Sequence, residues 1–440
     1  MNQMLTMGQS VQTVSSKLSC NVKQFIGSGT QGEVYEAELE GKLLALKWYF
    51  PQWATAEQRT ILETLIAKGS PHETFLWPIT LVSAPHSKEF GYLMPLREKR
   101  FKNISDLMKR RIDPSFRALA TAGFQLSHSF LKLHAQGLCY RDISHTNVFF
   151  DPATGDILIC DNDNVAVDGS PLCNIAGTPR FMAPEIVRGE ALPSIQTELL
   201  SLADLLFYIL LNHHPLEGKK EAEIRSFDLP AMTKIYGTEP VFIFDPNNDS
   251  NRPLPGYHDN ALIFWPIYPQ FLRNLFTRAF TEGIHDPQHG RVRESEWRAA
   301  MVKLRDSIIY CGKCGRENFY DVDALRTSPN HTFSCWSCKR KITLTPRIRI
   351  GEHIVMLNYD TKLYPHHIDD QRLYDFTQPV AAIAQHPKDP NTWGLKNLSK
   401  EKWVTTGSNG SIKDVEPERS VTLVSGVKIN FGKVEGEIRF

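Results

Sequence analysis

The chain has 440 residues, which is enough for about three domains of ordinary size. Its 50 basic and 49 acidic residues almost cancel, and this balance makes nucleic acid an unlikely partner because non-specific binding requires a basic surface. Apolar residues make up 41% and charged residues 22%, a composition typical of folded globular proteins rather than disordered chains.

Targeting and membrane signals are absent from the sequence pattern. The first 19 residues are polar and lack the apolar segment of a secretory signal, so we expect a cytoplasmic protein. The longest apolar run, residues 199–211, is interrupted by Asp204 and is too short to cross a bilayer comfortably. It is predicted to form a buried helix instead, and no membrane partner is expected.

The first part of the chain resembles an antiparallel sheet followed by a helix. Residues 1–16 are expected to be flexible. Strands are predicted over residues 24–26, 33–39 and 43–49. Thr55 followed by Gln58 has the spacing of a helix capping box, which places a helix next.

A glycine-rich turn joins the first two strands. Gly27, Gly29 and Gly32, followed by Val34, allow a tight hairpin whose N–H groups approach phosphate oxygens. A dinucleotide-binding motif would require a helix after the glycines, whereas a strand follows here. The remaining alternative is an ordinary glycine-rich hairpin.

A lysine in the third strand favours the phosphate interpretation. Lys47 follows Ala45 in an apolar run, and a buried cation needs an anion nearby. Nucleotide phosphates can supply that anion, and a carboxylate must hold the lysine in place. Glu63 in the middle of the predicted helix is preferred, and Glu57 in its first turn is the second candidate.

A cluster of polar motifs follows in the helical part of the chain. Asp142 and Asn147 precede an apolar strand, and Asp161 follows the next one. Together with the glycine loop, Lys47 and the run Ala183-Pro184-Glu185, this order and spacing resemble the eukaryotic-like Ser/Thr protein kinase family over about residues 17–308. The resemblance implies an α+β, bilobal fold, with an N-lobe over 17–97 and a C-lobe over 98–308.

The resemblance also implies roles for individual residues. Asp142 is the expected catalytic base, and Asn147 and Asp161 are the expected ligands of Mg²⁺ (or Mn²⁺) bound with ATP. The residues expected around the adenine are Ala45, Met94, Pro95, Arg97 and Phe149. The run from Gly177 to Arg180 is similar to the substrate-facing loop of kinases that act on Ser or Thr, so the expected partners are protein substrates.

Two further roles follow from the same resemblance. Arg291 is expected to pair with Glu185, a structural contact. Arg141, beside the catalytic base, is a candidate to dock a phosphorylated residue of the activation segment. Ser170 is one such residue, although a Ser in a Gly-Ser-Pro run is also typical of a plain turn.

Three positions depart from the family pattern. Tyr140 replaces a histidine, Asn162-Asp163 replaces Phe-Gly, and Ser144 replaces the lysine that touches the transferred phosphate. Loss of that cation predicts transfer slower by roughly 10- to 1,000-fold, with His145 as a partial substitute. The alternative function is a nucleotide-binding pseudokinase scaffold, but Lys47, Asp142, Asn147 and Asp161 are all present.

The last part of the chain begins with cysteines. Two CxxC pairs, Cys311 with Cys314 and Cys335 with Cys338, predict one closed, structural zinc site in a ribbon over residues 309–345. Residues 346–440 alternate like strands and faintly resemble a forkhead-associated β-sandwich, without that family's Ser-x-x-His element. The domain order resembles bacterial stress-associated kinases that occur with a von Willebrand A-domain protein and a metal-dependent Ser/Thr phosphatase, which suggests these two partners.

Overall fold

The computed structural model describes residues 3–85, 87–170, 177–327 and 333–440. It divides into two compact units of mixed α and β structure. The first unit comprises the chain up to Trp265 together with Asn274–Ala299, and the second comprises Pro266–Arg273 together with Ala300–Phe440.

The strands and helices below are numbered in chain order. The strands are β1 (Ser10–Thr13), β2 (Ser19–Ser28), β3 (Gly32–Leu39), β4 (Lys42–Tyr49), β5 (Thr80–Ser83), β6 (Phe90–Pro95), β7 (Lys102–Asn103), β8 (Leu138–Cys139), β9 (Val148–Phe150), β10 (Ile157–Ile159), β11 (Ala166–Val167), β12 (Ile308–Tyr310), β13 (Glu317–Phe319), β14 (Arg347–Ile350), β15 (His353–Met356), β16 (Lys362–Leu363), β17 (Ala381–His386), β18 (Asp389–Asn397), β19 (Trp403–Thr406), β20 (Ile412–Val415), β21 (Ser420–Thr422), β22 (Lys428–Asn430) and β23 (Glu435–Arg439). The helices are α1 (Ala56–Lys68), α2 (Ile104–Met108), α3 (Phe116–His134), α4 (Pro184–Val187), α5 (Ile195–Leu211), α6 (Lys219–Ala222), α7 (Leu229–Thr233), α8 (Asp259–Phe264), α9 (Gln270–Phe280), α10 (Glu282–His285), α11 (Glu294–Asp306), α12 (Val322–Thr327) and α13 (Pro365–Ile368).

The first unit begins with a closed antiparallel barrel. Its strand order is β1-β2-β3-β4-β6-β5, and β1 closes the barrel by pairing with β5 as well as β2. Apolar side chains from these strands, among them Val22, Leu46 and Leu93, fill the interior. The predicted antiparallel meander is therefore confirmed, and helix α1 starts at Thr55, whose side chain accepts the Gln58 N–H.

The start of the chain is ordered earlier than expected. Strand β1 lies within the segment predicted to be flexible, and Leu5 is only 2% exposed in the barrel core. The N–H of Leu5 donates to the Tyr35 hydroxyl at 3.0 Å. The expectation of a flexible segment is thus wrong for residues 3–16, because Leu5, Val11 and Thr13 bury their side chains.

The rest of the first unit is mainly helical. Helix α5 begins with a capping box between Ser194 and Thr197, and all its residues from Thr197 to Leu211 are buried. This confirms the buried helix that the apolar run predicts, and it places Glu198 and Asp204 in the interior. Among the helices of the described ranges, none has the length and apolar character that crossing a membrane requires.

The second unit contains a small hairpin and two larger sheets. Strands β12 and β13 form the hairpin, and the sheets have the orders β15-β14-β23-β22-β19-β20 and β16-β17-β18-β21. One apolar cluster takes side chains from both sheets, including Ile348 and Trp403 from one and Leu395 from the other. The unit also takes in residues 266–273 and 300–308, which the sequence analysis had assigned to the kinase C-lobe.

The buried position of Leu5 generates a stability prediction. Leu5→Ala removes a nearly inaccessible side chain from the barrel core and is expected to lower the free energy of unfolding of the first unit by about 2 to 4 kcal/mol. Urea denaturation of the full chain, followed by tryptophan fluorescence, measures the change. Met7→Ala is the control because Met7 is 77% exposed. Equal, small effects of both substitutions would contradict an ordered start of the chain.

Candidate active site

A cleft of about 370 Å³ lies in the first unit beside the glycine-rich turn. Six predicted residues line it: Gly29, Gly32, Val34, Lys47, Asp142 and Asp161. Gly177, from the predicted substrate-facing loop, also lines it, and four lining residues were not predicted as site residues: Thr30, Gln31, Trp53 and Asn164. The structure therefore brings the glycine loop, the lysine and two of the carboxylates to one cavity.

The glycine loop is the hairpin between β2 and β3. The N–H of Gly29 donates to the Gly32 carbonyl at 2.9 Å, which closes the turn. A Cβ atom on Gly32 would lie 2.1 Å from the Trp48 carbonyl oxygen on β4, so only glycine fits there. Gly27 meets no such obstacle and is not among the residues that line the cleft.

Asp142 is held by two hydrogen-bond donors. The Asn147 amide donates to Asp142 Oδ2 at 2.8 Å and to its backbone carbonyl at 3.0 Å. The Thr178 hydroxyl donates to Asp142 Oδ1 at 2.8 Å. Both carboxylate oxygens thus have a fixed orientation at the mouth of the cleft. Asn147 itself is buried behind Asp142 rather than in the cleft lining.

The backbone before Asp142 is held by a buried carboxylate. Glu198 on α5 accepts the N–H of Tyr140 at 3.0 Å and also the N–H of Arg141. Arg141 has φ of 75°, and Asp161 has φ of 53°, conformations that residues other than glycine rarely adopt. Unusual backbone conformations of this kind concentrate at functional sites, where neighbouring contacts hold them.

Glu198 is in turn part of a buried ionic chain. His134 on α3 lies between Glu198, at 2.9 Å, and Glu294 on α11. Burial alone would lower the pKa of His134, but its hydrogen bonds to the two carboxylates raise that pKa to about 9. The imidazole is therefore cationic at neutral pH and links three helices to the backbone of the catalytic loop.

Tyr140 connects the catalytic loop to the segment that carries Asp161. Its ring is fully buried, and its hydroxyl donates to the Cys160 carbonyl. The tyrosine that replaces the family's histidine therefore makes a contact between the two loops. The catalytic loop and the segment that carries Asp161 are linked although tyrosine replaces histidine.

Lys47 has different partners from those predicted. Its Nζ lies 2.7 Å and 3.0 Å from the two carboxylate oxygens of Asp163, 3.4 Å from Asp161, and 3.0 Å from the Gln31 amide oxygen. Burial alone would lower the pKa of Lys47, but the charge of Asp163, followed by that of Asp161, raises it. Glu63 instead pairs with Arg59 at 3.1 Å on the helix surface.

The prediction that Glu63 pairs with Lys47 is therefore wrong. Leu62 and Leu65 form the buried face of α1, and Glu63 is one residue, about 100° of helical turn, away from Leu62. Gln58 precedes Leu62 by four residues and lies on the same face as that leucine. This spacing is the signal in the sequence that identifies Gln58, rather than Glu63, as the inward-facing polar residue of the helix.

The five residues predicted around the adenine are not among the residues that line the cleft. Ala45 and Met94 are paired across β4 and β6. Pro95 ends β6. The Arg97 guanidinium lies 4.3 Å from the centre of the Phe149 ring. The structure thus pairs Ala45 with Met94 and Arg97 with Phe149, and Pro95 follows Met94 in the same strand.

His145 does not supply the charge missing at Ser144. Its ring packs against Phe181 and Tyr208, at centroid distances of 5.3 and 5.9 Å, and these two rings also contact each other. Burial lowers the pKa of His145, so the imidazole is largely neutral at pH 7. Ser144 is buried, and its hydroxyl lies 2.8 Å from the Thr146 hydroxyl. The suggested substitution of His145 for the lysine is therefore wrong.

Two other predicted contacts are present. Arg291 donates to Glu185 at 2.6 Å, which confirms the predicted pair. Arg141 donates to the Ser170 carbonyl at 3.2 Å, so the two residues are neighbours. Part of the Gly-Ser-Pro run, from Pro171 onward, lies outside the described residues. Phosphorylation of Ser170 stays a prediction.

The four paired cysteines meet in the second unit. The sulfur atoms of Cys311 and Cys338 are 3.6 Å apart, those of Cys314 and Cys335 are 3.7 Å apart, and all four lie within 4.8 Å of one another. A tetrahedral zinc ion with Zn–S bonds of about 2.3 Å requires sulfurs about 3.8 Å apart. The donor set and its spacing therefore fit zinc.

The surroundings of the cysteines also fit a metal. N–H groups of Cys314 and Lys313 point at the Cys311 sulfur and lower the pKa of that thiol to about 6. The Asn318 amide lies 3.7 Å from the Cys335 sulfur and so supports a second ligand. Thiolates, rather than thiols, are the metal-binding form.

Comparison with known proteins decides the family. The family model described as "Protein kinase domain" matches residues 20–262, more than half of the chain. The chain belongs to the protein kinase family. This confirms the resemblance drawn from the glycine loop, Lys47 and the catalytic-loop residues Asp142 and Asn147. Protein kinases use ATP and Mg²⁺, so both cofactors are expected here.

Curated relatives match part of this kinase. Protein kinase gsk3 of Schizosaccharomyces pombe is 27% identical over 36% of this chain and 38% of its own length. CBL-interacting protein kinase 4 of Oryza sativa subsp. japonica is 27% identical over 41% of this chain and 40% of its own length. The probable serine/threonine-protein kinase CCRP1 of Zea mays is 26% identical over 44% of this chain and 32% of its own length. This kinase therefore spans about two fifths or less of the length of these relatives.

The His134 chain generates a pH prediction. Because the folded pKa of His134 is raised above the unfolded value of about 6.5, its stabilising effect is complete below about pH 6.5 and is lost as pH rises through about 9. His134→Gln is expected to lower stability by roughly 3 kcal/mol at pH 6.5. Thermal melts between pH 6.5 and 10 give the melting temperatures of the wild type and of His134→Gln.

Comparing the two pH profiles isolates the contribution of His134 to the pH dependence of stability, since the other titrating groups are the same in both proteins. The melting temperature of the wild type should fall more steeply than that of His134→Gln between about pH 6.5 and 9, and the two slopes should converge above about pH 9. Parallel profiles would show that His134 is not a cation in the folded kinase.

Proposed function

We propose that this protein transfers the γ-phosphoryl group of Mg-ATP to Ser or Thr hydroxyls of protein substrates, and to itself. The observation that supports this most strongly is that Lys47, Asp142 and Asp161 line one cleft beneath the glycine loop. These are the group types that phosphoryl transfer needs: a cation for the phosphates, a base for the hydroxyl and a hard oxygen ligand for the metal.

Each group has a defined task in the proposed reaction. Asp142 orients the substrate hydroxyl and accepts its proton, with Asn147 and Thr178 fixing the position of its carboxylate. Lys47 binds the phosphates. Asp161 and Asn147 are the residues that hold Mg²⁺, which neutralises charge on the phosphates when ATP is bound. Ser144 supplies no charge, so transfer is expected to be slow.

The preference for Ser and Thr rests on the loop that contains Thr178. Its hydroxyl bonds Asp142, so the loop that resembles the substrate-facing segment of Ser/Thr kinases is in direct contact with the proposed base. The printed name of the Zea mays relative supports the same substrate class.

Phosphate transfer by purified protein tests the proposal. The wild type incubated with labelled ATP and Mg²⁺ should phosphorylate itself or a basic test protein. Asp142→Asn and Lys47→Met should each lower the rate by about 100- to 10,000-fold, because one removes the base and the other removes the phosphate ligand. Asp249→Asn, on an exposed loop, is the matched control and should keep the wild-type rate.

Equal signal from all four proteins would overturn the proposal, since it would come from a contaminating enzyme. Thermal stabilisation by Mg-ATP without transfer to any substrate would instead support the second candidate, a nucleotide-binding scaffold. The intact set of Lys47, Asp142, Asn147 and Asp161 favours the enzyme.

We also propose that the second unit is a zinc ribbon followed by a forkhead-associated-like β-sandwich, and that the kinase part is bilobal. The sulfur spacing supports the first assignment, and the apolar cluster shared by the two sheets supports the sandwich. The barrel of β1–β6 and the helical part after it support two lobes. The phosphatase and von Willebrand A-domain partners and the cytoplasmic location stay predictions.

Metal analysis tests the zinc assignment. Purified protein should contain about one zinc ion per chain by mass spectrometry, and Cys335→Ala should lower this content because three thiolates bind zinc far less tightly. Cys20→Ala is the control, since Cys20 lies in the barrel core of the first unit and is not one of the four clustered cysteines. Wild-type protein without zinc after purification in zinc-containing medium would overturn the assignment.

A further inference from the structure

The carboxylate that holds the phosphate-binding lysine comes from an unexpected place. Asp163 contacts Lys47 through both oxygens, at 2.7 and 3.0 Å, and its side chain is fully buried. It follows Asp161 by two residues, in a short 3-10 turn over Asn162–Asn164. The lysine partner and the proposed metal ligand therefore sit on the same turn.

Helix α1 offers no carboxylate in this position. Its acids are Glu57 and Glu63. Glu63 is 53% exposed and pairs with Arg59, and Glu57 is exposed in the first turn near Thr55. Within the described ranges, the carboxylates that lie within 4 Å of Lys47 Nζ are those of Asp161 and Asp163.

A second layer of polar groups holds Asp163. The Tyr49 hydroxyl, on the same strand as Lys47, donates to Asp163 Oδ2. Gln58 of α1 donates to the Tyr49 hydroxyl and to the Asp163 carbonyl, at 3.1 Å in each case. Helix α1 thus contributes a neutral amide, and this amide is linked to the Asp163 carboxylate through the Tyr49 hydroxyl.

We propose that Asp163 is the positioning residue for Lys47 and replaces a helix carboxylate in this kinase. The inference rests on the proposed phosphoryl transfer. It makes the alignment of Lys47 depend on the turn that carries Asp161 rather than on a charge on α1. Asp163 then contributes to turnover through Lys47, with Tyr49 and Gln58 fixing its orientation.

Steady-state kinetics on three variants separate the two possible partners. Asp163→Asn should lower kcat by on the order of 100-fold, with a smaller change in the KM for ATP, because the lysine loses its alignment. Glu63→Gln should stay within about twofold of the wild type, as should the exposed control Asp249→Asn. A large loss in Glu63→Gln with none in Asp163→Asn would overturn the proposal.

Moving the carboxylate from residue 163 to residue 58 tests whether Asp163 positions Lys47 or only maintains the fold. Gln58→Glu places an acid where it can reach the space that Asp163 leaves, so Asp163→Gly combined with Gln58→Glu should recover at least tenfold over Asp163→Gly alone. Folding of each variant is checked by its melting temperature. A well-folded double variant without recovery would count against Asp163 acting through its charge on Lys47.

A stability cycle tests the same contact without any activity. Asp163→Asn should lower the melting temperature of the wild type strongly, since it leaves a buried ammonium without its main partner, but much less in a Lys47→Met background. Equal decreases in both backgrounds would overturn the pairing. Absence of transfer by the wild type would instead overturn the proposed function, and the cycle would still decide whether Asp163 and Lys47 interact.

Discussion

The catalytic loop depends on one buried carboxylate. Glu198 lies on α5, the most completely buried helix, and accepts the N–H groups of Tyr140 and Arg141. Without it, two backbone donors would be left unpaired in the interior, and each unpaired donor costs about 1 to 3 kcal/mol. Arg141 also holds a positive φ, which needs such external support. The position of Asp142, the next residue, follows from these bonds.

Buried cations connect the parts of the site to one another. His134 joins Glu198 to Glu294, Arg291 joins Glu185 to the carbonyls of Gln196 and Gly283, and Lys47 joins β4 to the turn of Asp163. Buried ion pairs of this kind add little net stability, because desolvation offsets most of the attraction. Their effect here is geometric: each one allows a single arrangement of the segments that it joins.

The sequence predicted those features that depend on local pattern. The glycine loop between two strands, Lys47 on the third and the cap at Thr55 follow from residue type and spacing, and the structure has all three. The pair of Arg291 and Glu185, 106 residues apart, was predicted only because both belong to family motifs. The cysteine cluster was predictable because two CxxC pairs at this separation are typical of zinc sites.

Features that depend on tertiary packing were missed. Which carboxylate pairs with Lys47 depends on the rotation of α1, which turns Glu57 and Glu63 away from the lysine. In the sequence, only the spacing of Gln58, Leu62 and Leu65 indicates that rotation. Strand β1 was missed because four residues of alternation, with Val11 and Thr13 inward, are too short to stand out. Ala45 and Met94 were predicted beside the adenine, and they belong to the same apolar cluster as Val34, which lines the cleft.

Gln31 gives the glycine loop a second role. Its side chain bridges Lys47 at 3.0 Å and Asn164 at 3.2 Å, so the loop is fastened across the place that phosphates require. If the cleft binds ATP as proposed, the phosphates have to displace the Gln31 side chain from Lys47. Each bond of about 1 kcal/mol weakens apparent affinity about fivefold. Within the proposed function, the tip of the glycine loop therefore competes with ATP for Lys47.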